Sequence, residues 1–257
     1  MVFLCLRRWH QALCFFLGIG IALGLGVITP LSASTPPWLQ LLVQGGQYIG
    51  LSNTSRSQQV QIGQQIDQQL HQQYKFISDS QALAYVNRIG QTVAHVSDCS
   101  EYPFRYSIVE DKQLNAFATT GGFVYVTTGL LNAISSDAEL AGVLGHESGH
   151  ICNNDLIRKM RQAAIEQGIV SLAGLGQNRF VKLGTQLAID LPNSRQVEFR
   201  ADVKGQTYLE RAGYNRYGLV NFLRKLLRQP SPPTFLSNHP GTKERITALE
   251  QRITANQ

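Results

Sequence analysis

His146-Glu147-Ser148-Gly149-His150 constrains this chain more than any other stretch, because an HExxH pentad carries chemistry only if it lies on a helix. Two histidines four residues apart on a helix are separated by roughly 40° of rotation, so both imidazoles can reach one metal ion. Glu147 lies beside them, where a carboxylate can take a proton from a metal-bound water. Five residues arise easily by composition, so the helix has to be argued separately.

Ser136 and Glu139 stand at capping-box spacing and Asp137 adds negative charge, which predicts a helix beginning there. Leu140, Val143, Leu144, Glu147 and Ile151 follow at helical spacing. Such a stripe buries one side of the helix and carries Glu147 partly inside, where a carboxylate pKa rises toward that of a useful base. Gly142, Gly145 and Gly149 fall on the flank opposite the histidines. Each costs about 1 kcal/mol against alanine in a helix, so three together predict another backbone packed close by. A core helix with two locally bonded histidines is the competing reading, and it explains neither Glu147 nor the carboxylates downstream.

A catalytic zinc takes three protein ligands and keeps a fourth position for water. The third must come from another element. Ser194 opens a stretch that reads as a helix to about Arg211 and stops at Ala212-Gly213, with Glu198 and Asp202 one turn apart on one face. Glu198 is the candidate ligand. Asp202 can accept a hydrogen bond from the free ring nitrogen of one histidine and fix its tautomer. Without HExxH the two carboxylates would read equally well as a surface pair.

The first residues carry Arg7 and Arg8, then the apolar run from Ala12 to Ile28, then small residues at Ser32 and Ser34. Residues 1–34 therefore read as a secretory signal peptide, with an uncleaved N-terminal membrane anchor as the alternative. Either places the body outside the cytoplasm, in a periplasm, lumen or cell envelope. Export permits Cys99 and Cys152 to bridge, the other two cysteines lying in the leader, while two separate buried thiols remain the alternative. Taking Arg7 and Arg8 from a net charge of +6 leaves +4, spread along the chain. No aromatic and basic residues interleave, so no nucleic-acid partner is expected, and attraction to an anionic membrane surface is weak.

Residues 35–54 hold Pro36, Pro37, Gly45, Gly46 and Gly50 and read as a linker or arm. Helices are predicted from Ser55 to Gln73, with a glutamine-rich solvated face, and from Asp79 to Val96. Phe104 to Val109 and Phe123 to Val126 read as short strands, with Asn115 to Gly122 between them as an ordinary hairpin connection or a site for an extended peptide. Ile165 to Gly176 is apolar but too short to span a bilayer, and Gln177-Asn178-Arg179 reads as a break. Lys182 to Asp190, Tyr217 to Arg228 and Thr242 to about Ile253 complete the helical segments. Ser237-Asn238-His239-Pro240 carries a histidine that no helical period explains, held extended by Pro240 and preceded by the proline-rich stretch Pro230 to Pro233.

HExxH followed by Glu198-x-x-Ala201-Asp202, with Asn115-Ala116-Phe117-Ala118-x-x-Gly121-Gly122 upstream and Ser237-x-His239-Pro240 near the end, resembles the zinc metallopeptidase family of the HtpX, BepA and CaaX prenyl protease types. The likeness covers most of Ser55 to Glu250. It implies an α+β fold of the minigluzincin type, mostly helical with a small β-sheet edging the active-site cleft, in a metallopeptidase domain spanning 55–257. It implies one Zn2+ per chain on His146, His150 and Glu198, with Glu147 as the base. It also implies that the Phe123 to Val126 strand edges the cleft and that Asn115, Ala116, Phe117, Gly122, Phe123 and Val124 bind substrate. His239 is implied to sit near the cleft, as an oxyanion donor or as a ligand that fills the open zinc position. Thr119-Thr120 departs from the family, whose members often carry a proline before the glycine pair.

The resulting expectation is an endopeptidase that cleaves unfolded or damaged exported or membrane-associated proteins. A zinc-stabilised holding or assembly factor that binds unfolded chains without cutting them is the alternative, and Glu147 argues against it, because a pure binder needs no base.

Overall fold

The computed structural model describes residues 54–166, 177–189 and 192–255. The expected leader, the arm before Thr54 and residues 167–176 of the apolar stretch lie outside the described residues. Among the described residues no helix is long and apolar enough to cross a membrane.

Three short strands form the sheet: β1 (Arg105–Val109), β2 (Ala116–Ala118) and β3 (Phe123–Thr127), in the order β1-β3-β2. β1 runs parallel to β3, with Arg105 opposite Phe123, and β2 runs antiparallel to it, with Ala116 opposite Val126. Every residue of β3 is buried. Successive side chains of a strand point to opposite faces, so a strand buried throughout must be covered on both. Tyr106, Ile108, Val124 and Val126 enter one core, while Val109, Phe117, Phe123 and Tyr125 enter the other.

The helices supply those covers. On the first face lie α2 (Ser80–His95), α4 (Asp137–Cys152), α7 (Arg195–Arg211), α8 (Gly218–Leu227) and α10 (Thr242–Ala255). On the second lie α1 (Arg56–Gln73), α5 (Asp155–Glu166) and α6 (Gln177–Ile189). Two short helices, α3 (Thr128–Ala133) and α9 (Thr234–Asn238), sit in the connections after β3 and before His239. Local chemistry sets the helix starts. Ser55 forms a complete capping box with Gln58, and Asp79 and Ser194 accept hydrogen bonds from the first turns of α2 and α7.

α4 differs from its predicted form in two respects. It is buried all round from Glu139 to Ile151, not along one stripe, because it runs between the sheet and α7 with α2 and α8 also packed on it. Ser136 caps Glu139 as expected, but the Glu139 carboxylate does not return to the Ser136 backbone. It accepts instead from the Ser135 N–H at 2.8 Å and from Lys225 Nζ at 2.5 Å, which ties α8 to the start of α4.

The expected close approach of backbones to the three glycines is present, and two partners make it. A Cβ on Gly142 would stand 2.5 Å from the backbone nitrogen of Leu219, and one on Gly149 would stand 2.7 Å from the Ala201 carbonyl oxygen. Gly205 of α7 faces the same gap, where its own Cβ would reach 2.8 Å from the His146 nitrogen. This contact lets α7 lie close enough to α4 for Glu198 and Asp202 to meet the histidines.

Two further readings change. Gln177 begins α6 and is not a break, and Asp155, just past a left-handed turn at Asn154 (φ 57°), begins a helix the periodicity did not predict. Asn115 to Gly122 is not a plain connection between two paired strands, because it contributes β2.

Candidate metal centre

His146 and His150 project from the second half of α4, both buried, with their Nε2 atoms 3.0 Å apart. α7 brings Glu198 opposite them, its Oε2 at 3.2 Å from His146 Nε2 and its Oε1 at 3.5 Å from His150 Nε2. His239, at the end of α9, closes the group, with Nδ1 3.1 Å from both His146 Nε2 and Glu198 Oε2. One donor atom from each of these four residues lies within 4.8 Å of all the others.

The outer ring nitrogens are oriented by carboxylates. His146 Nδ1 is 2.9 Å from Asp202 Oδ1, and His150 Nδ1 is 2.8 Å from Asp155 Oδ2. A carboxylate on Nδ1 fixes the proton there and turns the Nε2 lone pair inward. Asp202 is in turn held by Arg245, whose Nε and Nη2 donate to its two oxygens at 2.7 Å each. The same guanidinium donates to the His239 carbonyl oxygen at 3.0 Å and approaches Glu198 Oε2 at 2.9 Å.

These charges act on each other strongly because the side chains that carry them are buried. Burial alone would raise the Asp202 carboxyl, but the Arg245 charge and the His146 hydrogen bond bring it down to about 2. Burial likewise opposes ionisation of Glu198, while the charges of His239 and His150 and the hydrogen bonds from His146 and His239 hold it well below the usual carboxylate range. Burial and Arg245 disfavour a charged His146, yet Asp202 and Glu198 lift it to about 9. A field that favours a proton at this point favours a metal cation there as well.

Zinc fits the donor set. Three imidazoles and a carboxylate suit it by type, and Glu198 Oε1 and Glu147 Oε1 are buried with no hydrogen-bond partner in the protein. A buried carboxylate oxygen left in that state is costly unless something else satisfies it. His146, His150 and Glu198 would hold the ion, with His239 within reach of the same position.

Comparison with known proteins agrees with this geometry. Residues 80–253 match the model of peptidase family M48. The chain belongs to that family. Among M48 relatives, the Beta-barrel assembly-enhancing protease of Escherichia coli (strain K12) is 26% identical over 223 residues, covering 80% of this chain and 45% of that protein. The Mitochondrial metalloendopeptidase OMA1 of Arabidopsis thaliana is 36% identical over 149 residues, 56% of this chain and 30% of the relative. The Metalloprotease LoiP of Escherichia coli (strain K12) is 29% identical over 164 residues, 60% of this chain and 64% of the relative. The chain thus spans about half the length of the barrel protease it matches. The M48 assignment carries zinc as the metal, in accord with the donor set.

The M48 site places the other expected residues unevenly. Glu147 is 1% exposed and borders a hollow with Phe117, Ala118, His150 and His239. Asn115, Ala116 and Phe117 lie at or in β2, with the Ala116 carbonyl oxygen 3.4 Å from His239 Nε2. Gly122, Phe123 and Val124 do not form the cleft edge. Gly122 is in the β2–β3 turn at φ 100°, and Phe123 and Val124 lie in the central strand, whose hydrogen bonds are taken on both sides. The edge strand on the metal side is β2. Sequence reasoning missed Asp155 and Arg245 altogether. Asp155 follows a turn at Asn154, and nothing in the sequence around Arg245 marked the second.

Proposed function

We propose that this chain is a zinc-dependent endopeptidase acting on exported or envelope polypeptides. The observation that carries the reading is the state of Glu147: a carboxylate 1% exposed, beside the metal-ligating histidines, with Oε1 accepting no hydrogen bond. Zinc, when bound, would polarise the scissile carbonyl and lower the pKa of a bound water toward about 7. Glu147 is positioned to take the water proton and deliver it to the leaving amine. Asp202 and Asp155 hold the two histidines in register, and Arg245 holds Asp202. β2, the edge strand, offers its backbone to an extended substrate, with Asn115 to Phe117 along it.

The name of one relative, Beta-barrel assembly-enhancing protease, supports substrates among envelope proteins. The arginine-preceded apolar run at the N-terminus supports export, with residues 1–34 as signal or anchor and 55–257 as the peptidase domain. A holding factor would use the same β2 edge but would have no use for Glu147. The test is hydrolysis of a reduced, unfolded polypeptide by the zinc-loaded full chain. Cleavage should stop with a chelator and in Glu147→Gln, which should still retain zinc and fold. Full activity in Glu147→Gln would remove the mechanism, and binding without any cleavage by the wild type would favour the holding factor.

A further inference from the structure

The hollow in front of Glu147 is small, with about 30 Å3 open to a water-sized sphere. That is room for one or two waters. Most of the polar groups that line it are already engaged. Asp155 is bonded to His150 at 2.8 Å and to Arg158 at 2.5 Å, and Lys159 Nζ donates to the Leu187 carbonyl oxygen at 3.1 Å. Asn238 Nδ2 donates to the Ile189 carbonyl oxygen at 2.9 Å, and His239 faces His146, Glu198 and the Ala116 carbonyl. Two groups on the hollow differ. Glu147 Oε1 accepts no hydrogen bond in the protein, and the Asn193 side chain makes one long contact among the described residues, from Nδ2 to His150 Nε2 at 3.5 Å.

Asn193 lies in the connection between α6 and α7, and the main chain sets its place. Its backbone N–H donates to the Asn238 carbonyl oxygen at 3.0 Å, and the next residue, Ser194, caps α7 by accepting from the Val197 N–H. Neither bond uses the Asn193 side chain, so holding the connection does not account for a carboxamide there. The orientation of that carboxamide follows from the histidine. Asp155 fixes the His150 proton on Nδ1, so Nε2 presents a lone pair, and the Asn193 atom that faces it has to be the N–H donor. This is the lone pair that a metal would take. The Asn193 donor then loses its acceptor, while its backbone bond keeps it on the wall of the hollow with Glu147.

We infer that Asn193 is a further catalytic residue, which donates from Nδ2 to the oxygen of the attacking water while Glu147 accepts one of its protons. A donor and an acceptor on one water-sized hollow orient a molecule that needs both. As the proton passes to Glu147, the water oxygen bonds to the scissile carbonyl carbon. The C–N bond then breaks and Glu147 returns the proton to the leaving nitrogen, so one water is consumed for each peptide bond cut. The hydrogen bond from Asn193 strengthens as the oxygen gains negative charge, which stabilises the transition state more than the resting water. The inference rests on the endopeptidase reading for its catalytic consequence, but the donor can be measured by binding alone.

The experiment loads the full chain with Co2+ in place of zinc, so that visible absorption reports a small molecule binding at the metal without any substrate. The probe is acetohydroxamate, which brings a charged oxygen to that position. Wild type should bind it about tenfold or more tightly than Asn193→Leu or Asn193→Ala, the loss expected for one hydrogen bond to a charged group. Metal content and the absorption before acetohydroxamate should be the same in all three proteins. In the zinc-loaded proteins, kcat on an unfolded polypeptide should fall by a similar factor in both variants with KM nearly unchanged, the mark of an interaction made in the transition state. Equal acetohydroxamate affinity in wild type and variants overturns the inference. Loss of bound metal or of the fold in both variants also overturns it, since the side chain would then be holding the site or the connection. Wild-type cleavage together with equal acetohydroxamate affinity would remove the donor and leave the peptidase standing. An affinity difference without cleavage by the wild type would do the reverse.

Discussion

Arg245 and Asp202 meet through two parallel hydrogen bonds, Nε to Oδ2 and Nη2 to Oδ1, each 2.7 Å, with both side chains withdrawn from solvent. They lie 43 residues apart in sequence and join α10 to α7 directly behind His146. Removing one partner of a buried ion pair leaves the other charge unpaired, at a cost of about 3–5 kcal/mol. Arg245→Met should therefore lower stability by about that amount and weaken zinc binding, because Asp202 would no longer be held against His146. Chemical denaturation with metal analysis checks both. A variant as stable as the wild type would show that Asp202 is neutral or otherwise satisfied.

Glu198 and Asp202 share one face of α7 but are expected to fail differently. Glu198→Ala removes the proposed third ligand and should lower bound zinc well below one per chain. Asp202→Ala leaves three donors and should weaken affinity by roughly 10–100-fold through the loss of the His146 orientation. Competition with a fluorescent chelator measures both. Unchanged zinc stoichiometry after Glu198→Ala would put the third ligand elsewhere, with His239 the first residue to test.

What the sequence made legible was local. The four-residue interval from His146 to His150 and from Glu198 to Asp202 is read directly from helix geometry, and Ser55, Asp79 and Ser194 mark helix starts by their own side chains. Tertiary relations were less accessible. β2 is three residues long, Ala-Phe-Ala, too short to show alternation, and β3 is buried on both faces, so no pattern distinguishes a central strand from an edge. Asp155 reaches His150 only because the chain turns at Asn154, and Arg245 reaches Asp202 only through packing of α10 on α7. One of two arginines on a charged helix, Arg245 has no mark that it will be the largest fully buried side chain among the described residues.

Asp98 accepts hydrogen bonds from Lys204 at 2.7 Å and Arg211 at 2.9 Å, and the bond from Lys204 is the main reason its carboxyl falls below the usual value. A depressed folded-state pKa adds stability that is present above the unfolded value of about 3.9 and is lost as pH falls through the folded one. The group is partly exposed, with 44% of its side chain accessible, so the effect should stay below about 1 kcal/mol. Asp98→Asn should lower the Tm slightly at neutral pH, and the two proteins should converge below about pH 4. A difference that persists undiminished at about pH 2, below the unfolded carboxyl value, would assign the effect to packing.

Cys99 and Cys152 are joined in a disulfide, with Cα atoms 5.4 Å apart, tying the loop after α2 to the last residue of α4. Closing a loop across a sequence separation of 53 residues contributes about 4 kcal/mol in the chain-entropy account. The protein should show no free thiols from this pair by mass spectrometry under non-reducing denaturation, and its Tm should fall on reduction. Two free thiols in protein isolated from its own compartment would mean that the pair is not bridged there.

His239 has two tasks open to it that its position does not separate but its removal does. Nδ1 stands 3.1 Å from His146 Nε2 and Glu198 Oε2, among the candidate metal donors, while Nε2 stands 3.6 Å from Glu147 Oε1 and 3.4 Å from the Ala116 carbonyl oxygen on the edge strand. The first set of contacts suits a ligand that fills the open zinc position, and the second suits a donor to the carbonyl of a peptide lying along β2. The His239 backbone is anchored at both ends, by its N–H to the Phe235 carbonyl oxygen at 2.8 Å and by its own carbonyl to Arg245 at 3.0 Å. His239→Ala should therefore change the site without loosening the chain around it. Lost turnover with unchanged zinc affinity would assign the donor role. Increased basal cleavage with weaker zinc binding would assign the blocking ligand, since a fourth protein donor both holds the metal and excludes water. Wild-type kinetics together with wild-type zinc affinity would leave His239 with neither task, despite its place among the buried donors.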